Sequence, residues 1–242
     1  MDIIKYDKNE VYNIPLTINI PENYSDNDVK SALDVMFDVH PILKSVIGIA
    51  DEVPCLKTGN DPNITYLNEY DEDRISGFIT SPFDLNTALS RFLLVKNDND
   101  AGSLLVGVFH HLIFDGFSTS VFKKHLFELL KGNELELDNG FIKSRVYDEE
   151  IAKTLKYDEA EAFYESMLSE VDDVYSLLSD VGDNQAGFYS LDLTAEKSDI
   201  RSFLKSCNIT ENILFISAFS YTLSRFTGDS KVLFNILDNG RD

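Results

Sequence analysis

Apolar residues recur along this chain at two spacings, one helical and one extended. Val29, Leu33, Met36 and Phe37 follow Ser25-Asp26-Asn27-Asp28, which has the form of a capping box, and Pro41 ends the helix they predict. Residues 45–49 then read as a strand. The stretch 51–73 is polar and holds turn-forming Pro and Gly, with 63–67 as a short strand inside it. Residues 91–96 and 103–109 read as buried strands joined by the turn sequence 97–102. Val121, Phe122, Leu126, Leu129 and Leu130 mark one face of a helix over 118–130, closed by Gly132. A second helical stretch is predicted over 143–168, with Glu and Lys at solvated positions, and 171–184 is an acidic passage. The last third predicts a strand over 187–193, a helix over 197–206, a longer helix from Thr210 to Gly228 and a near-continuously apolar strand over 231–237. Strands and helices are mixed, without the regular alternation of a parallel doubly wound sheet.

The run between the 103–109 strand and the 118–130 helix is His110-His111-Leu112-Ile113-Phe114-Asp115-Gly116. A strand-to-helix loop is where rigid scaffolds present reactive groups. Imidazole, as a residue type, titrates near neutral pH and can take a proton from an attacking amine or alcohol. A carboxylate four residues after His111 can hold local geometry, and Gly116 is expected to let the backbone turn away sharply. The plainer reading is a pair of strand-end histidines followed by an Asp that caps the next helix. The chain has only four His, so two adjacent ones with a spaced Asp-Gly form a specific signal.

His110, His111, Asp115 and Gly116 resemble the HHxxxDG signature of the condensation-domain superfamily of nonribosomal peptide synthetases, which is built on the chloramphenicol acetyltransferase fold. Further segments resemble that family in its order. Tyr12-Asn13-Ile14-Pro15 is similar to the opening strand. Val39-His40-Pro41-Ile42-Leu43-Lys44-Ser45 is loosely similar to RHExLRT, with Val39, Pro41 and Lys44 departing from it. Pro82-Phe83-Asp84-Leu85 and Leu89-Ser90-Arg91 resemble PFDLxxxPLxR, with Ala88 in place of Pro. Tyr147 is the counterpart of a Tyr-centred motif, and Asn239-Gly240-Arg241 resembles the end of GTPxxxR.

The resemblance implies an α+β fold: a chloramphenicol acetyltransferase-like lobe with a mixed or antiparallel sheet packed with helices, and a partial second lobe. Residues 1–180 would be the N-terminal condensation lobe, lacking the family's first motif, and 181–242 the beginning of the C-terminal lobe. The chain thus reads as a piece of a longer parent and, by itself, as inactive. The implied reaction is acyl transfer from a carrier-tethered acyl or peptidyl thioester to an acceptor amine, forming an amide. His111 would be the catalytic imidazole. His110 would hold the loop, Asp115 would be an ion-pair partner, and Gly116 would admit the thioester and aim an N–H at the oxyanion. By the same resemblance Arg241 pairs with Asp115, with Arg91 as the competing partner. No cofactor is expected on the chain itself. The 4'-phosphopantetheine belongs to the partner carrier protein. An epimerisation domain, a coenzyme A-dependent acyltransferase of the same superfamily and a non-catalytic scaffold lobe remain as alternatives.

Composition narrows the partners. The formal net charge is −21 over 242 residues, so phosphate backbones and anionic membrane surfaces repel the chain. No apolar run reaches membrane-spanning length, no signal peptide is visible, and Cys55 and Cys207 are isolated. Reduced thiols and a cytoplasmic location are the expectation. Adjacent histidines on a strand point to opposite faces, so His110, His111 and Asp115 form a poor metal set. Ser118 and Ser120 lack a nucleophile elbow, and neither GxGxxG nor a P-loop lysine is present. His40 reads as a helix-end residue and His125 as a partly exposed helix residue.

Overall fold

The computed structural model describes residues 9–96, 102–169 and 190–236. The chain divides into two compact units, Met1–Thr154 and Leu155–Asp242. The first unit contains β1 (Asn13–Ile20), α1 (Asp26–Val39), β2 (Ser45–Ala50), β3 (Val53–Thr58), β4 (Ile64–Leu67), α2 (Glu72–Thr80), β5 (Ser90–Lys96), β6 (Ser103–His110), α3 (Gly116–Leu130) and α4 (Gly140–Ile151). The second contains α5 (Leu155–Leu168), α6 (Lys197–Cys207) and α7 (Glu211–Thr227).

A four-stranded sheet in the order β1-β6-β5-β4 organises the first unit. β6 runs antiparallel to both β1 and β5, and β4 runs parallel to β5, so the sheet is mixed. Alternation along the strands gives the sheet two apolar faces. Phe92, Leu94, Leu105 and Phe109 face one way, into a core with Val29, Leu33, Met36 and Phe37 of α1 and Phe122 and Leu126 of α3. Leu93, Val95, Val106 and Val108 face the other way, against Ile75 of α2, Leu67 and Phe83. Because both faces are covered, β5 and β6 read as continuous apolar runs. The turn into β6 requires glycine: Gly102 has φ +86°, and a Cβ there would collide with the carbonyl of Ile20.

Local chemistry explains the helix starts. Ser25 and Asp28 complete a reciprocal capping box on α1, with Asp28 N–H donating to Ser25 Oγ at 3.2 Å and Ser25 N–H to Asp28 Oδ2 at 2.7 Å. Thr210 caps α7, and Gly228 closes it at φ +81°.

Four expectations are corrected. The polar stretch 51–73 holds β3 and the start of α2 as well as β4. Asp51 and Glu52 take φ values of 50° and 65° and turn β2 tightly into β3, while Asp71 caps α2 by accepting the Arg74 N–H at 3.0 Å. The stretch 143–168 is two helices, broken at Ala152–Thr154, where Thr154 N–H turns back to Ile151 O at 2.9 Å. Residues 190–193 and 231–236 are not strands; the remainder of those two predicted strands lies outside the described residues. Apolar character does not make a strand without a neighbour to take its backbone hydrogen bonds. No strand is found among the described residues of the second unit.

Candidate functional site

β6 delivers the two histidines to opposite environments. His110, its last residue, is fully buried and lies opposite Asn13 of β1. Its ring sits 5.7 Å from that of Tyr12 and meets Phe83 edge-on at 6.1 Å. Nδ1 accepts the Leu112 N–H at 3.2 Å, so His110 closes the turn that carries His111 with its own side chain. That bond leaves Nδ1 unprotonated and places the hydrogen of the neutral ring on Nε2. Burial, and then the neighbouring His111, lower the pKa of His110 below the ordinary imidazole range.

His111 lies in the turn with its side chain exposed, and its backbone N–H donates to Tyr12 O at 2.9 Å. Four residues on, Asp115 is the N-cap of α3. Its Oδ1 accepts the Ser118 N–H at 2.8 Å and the Ser118 hydroxyl at 2.6 Å. Gly116 is the first residue of α3. Its φ is not positive, and an added Cβ would meet nothing within 4 Å among the described residues. The expectation that glycine makes a sharp turn here is therefore corrected, because neither backbone conformation nor crowding within the chain calls for it. Arg241 lies outside the described residues.

Arg91 and Asn13 stand on the same sheet face as His110, since Arg91 is opposite Val108 and Asn13 opposite His110. The Arg91 guanidinium donates to carbonyls at the end of α2: Phe78 O at 2.9 Å, Pro82 O at 3.5 Å and Ser81 O. It also lies 4.1 Å over the Phe83 ring. Arg91 is thus engaged with carbonyls and an aromatic face. Asn13 Nδ2 donates to Ile79 O and Ser81 O, each at 2.8 Å.

A second histidine cluster stands elsewhere in the first unit. His40, the buried C-cap of α1, meets Asp138 Oδ2 through Nδ1 at 3.1 Å and His125 Nδ1 of α3 through Nε2 at 2.8 Å. The two rings stack with centroids 5.0 Å apart. Composition signalled neither this pairing nor the roles of Asn13 and Phe83. The one available signal was that the segments holding Asn13, Phe83 and Arg91 follow one another in family order.

Chemically, the loop offers an exposed imidazole beside a buried, neutral one, at the N-terminus of a 15-residue helix. Such a centre can move a proton and stabilise developing negative charge. Among the described residues, no three His, Cys, Asp or Glu side chains are grouped to hold a metal ion. No helix of the described residues is long and apolar enough to cross a membrane.

A mixed sheet with helices on both faces and a paired-histidine loop at the end of a central strand together make an α+β lobe. The chain belongs to the condensation-domain family, whose model matches residues 4–242. It is 34% identical over 130 residues to gramicidin S synthase 2 of Brevibacillus brevis, a match covering 51% of this chain and 3% of that protein. Bacitracin synthase 3 of Bacillus licheniformis is 28% identical over 130 residues, covering 52% of the chain and 2% of the relative. Among solved structures, the condensation domain of the monacolin K polyketide synthase MokA aligns with a TM-score of 0.69 and 16% identity, over 94% of this chain and 57% of that one. A variant of the starter condensation domain of rhizomide synthetase RzmA aligns with a TM-score of 0.67 and 16% identity, over 97% and 60%. The chain therefore spans a few per cent of these curated synthetases and under two thirds of these solved domains.

Proposed function

We propose that this chain supplies the N-terminal lobe, residues 1–180, and the first part of the C-terminal lobe, residues 181–242, of a site that forms an amide bond. The donor is an acyl or peptidyl thioester on the 4'-phosphopantetheine arm of a carrier protein, and the acceptor is an amine. The observation that carries the reading is the exposure of His111 on a turn closed by buried His110, within a segment of HHxxxDG form. His111 takes the proton from the acceptor amine or orients that amine for attack. His110 holds the turn. Gly116 leaves room for the thioester and presents its N–H toward the developing oxyanion. Asp115 caps α3 with one oxygen and pairs with Arg241. The chain binds no cofactor of its own, engages neither nucleic acid nor membrane, and works in the cytoplasm.

His111→Ala in the complete parent tests this reading by single-turnover transfer from a loaded carrier. A fall of about 10²–10⁴ in rate is expected for loss of an acid–base or positioning group. A near-normal rate removes His111 from the mechanism. Replacing the carrier with a coenzyme A thioester as donor separates this reading from that of a stand-alone acyltransferase.

Taken alone, the chain acts as a binding lobe without turnover. This rests on its span of 57% of the MokA domain, because substrate positioning contributes about 7–11 kcal/mol to such barriers. Product from the purified chain with loaded donor and acceptor contradicts it.

A further inference from the structure

Three side-chain polar atoms are buried without a hydrogen-bond partner among the described residues: Asn13 Oδ1, Arg91 Nε and His110 Nε2. They belong to one cluster. Asn13 and His110 are opposite each other in the sheet, Asn13 and Arg91 both donate to Ser81 O, and Phe83 lies against both Arg91 and His110. The Asn13 amide orientation follows from its bonds, since turning it over would set its oxygen against the carbonyls of Ile79 and Ser81. His110 Nε2 carries hydrogen because Nδ1 accepts the Leu112 N–H. The cluster therefore holds two N–H donors and one acceptor, and that acceptor is Asn13 Oδ1.

We propose that Asn13 is a positioning residue of the His111 site, acting through His110: its nitrogen ties down the Ile79 and Ser81 carbonyls, while its oxygen, through a bridging water, is the acceptor that keeps hydrogen on His110 Nε2. A water that accepts from His110 Nε2–H and donates to Asn13 Oδ1 would join these two groups, which have no direct partner among the described residues. With Nε2 protonated, Nδ1 stays free for the Leu112 N–H, and the turn presenting His111 keeps its shape. Arg91 acts on the same cluster by clamping the carbonyls of Phe78, Ser81 and Pro82, of which Asn13 also holds that of Ser81. The residues come from three separated stretches of sequence, 12–15, 82–91 and 110–116, that meet only in the fold.

This inference rests on the reading of His111 as the proton-handling group. Its test reads the tautomer of His110 and the opening of its turn, not acyl transfer, so the two can fail separately. Two-bond proton–nitrogen spectra of the 242-residue chain report the tautomer of each histidine. Wild-type His110 is expected as a single neutral form with hydrogen on Nε2. In Asn13→Ala, the His110 signal is expected to show mixed tautomers, with Nε2–H and the His111 amide exchanging at least about tenfold faster as the turn opens. A folded Asn13→Ala protein whose His110 tautomer and exchange are unchanged overturns the proposal. If Asn13→Ala does not fold, Asn13→Asp decides: a carboxylate in place of the amide is expected to make His110 cationic at neutral pH. A His110 that stays neutral there overturns it equally.

Discussion

Asp115 and Gly116 show how little a residue's type says about its work. Asp115 reads from sequence either as an ion-pair partner or as a helix cap, and the structure shows the cap. Asp115→Ala should cost about 0.5–2 kcal/mol in urea unfolding through loss of the cap. Asp115→Asn keeps a capping oxygen and removes the charge. Stability recovered by Asn assigns the loss to the cap, and stability still missing measures the proposed pair with Arg241. Gly116 makes the opposite case. Since the described residues leave room for a Cβ there, Gly116→Ala should leave stability unchanged or raise it by about 0.4–1 kcal/mol. The same change in the complete parent should slow transfer by blocking approach of the thioester. Paired unfolding and single-turnover measurements check both halves, and a large loss of stability contradicts the structural account.

His40 and His125 couple the end of α1 to the body of α3, and His110 stands at the end of the strand that carries the motif, so pH acts on elements as well as on chemistry. Burial lowers the pKa of His40 first, offset in part by Asp138 and reinforced by His125, the charged or titratable groups facing it. Nδ1–H of His40 donates to Asp138 and Nε2 meets Nδ1 of His125, and burial disfavours a second proton on His40. The unfolded chain takes up that proton near the ordinary imidazole value of about 6.5. Stability from this network is therefore fully present above that value and is lost as pH falls through the window below it. His110, lowered for the same reason, adds to the slope with the same sign. Urea midpoints measured from about pH 7.5 down to about pH 5.5 should fall in the wild type. His40→Gln should flatten the slope without abolishing it. An unchanged slope in that variant removes His40 from the linkage.

At the scale of the molecule, the two units differ in how much apolar surface they cover. In the first, β5, β6, α1 and α3 bury near-continuous apolar sets. In the second, Leu204 is the buried hydrophobic residue among those described, while Phe215 is 54%, Phe219 53% and Phe226 80% exposed. Helices draw most of their stability from packing an apolar face. Amide exchange should therefore be faster in α6 and α7 than in β5 and β6 by about 10² or more. Equal protection in both sets contradicts this picture.

Sequence by itself determined the elements whose information is local. The capping box of α1, the Thr210 and Gly228 ends of α7 and the apolar runs of β5 and β6 each rest on neighbouring residues, and each formed within a residue or two of its expected place. The HHxxxDG segment was legible for the same reason: His110, His111, Asp115 and Gly116 stand at fixed spacing within one short segment. Tertiary structure alone decided the rest. β3 exists because β2 pairs with it, and the apolar run at 231–236 is no strand because none of the described residues pairs with it. Tertiary packing, too, set the environment of each histidine. Burial separates His110 from its neighbour His111, and contacts 66 and 68 residues apart in the chain hold Asn13 in the cluster at His110. Burial and hydrogen-bond partners are properties of what surrounds a side chain, and no spacing along the chain encodes them.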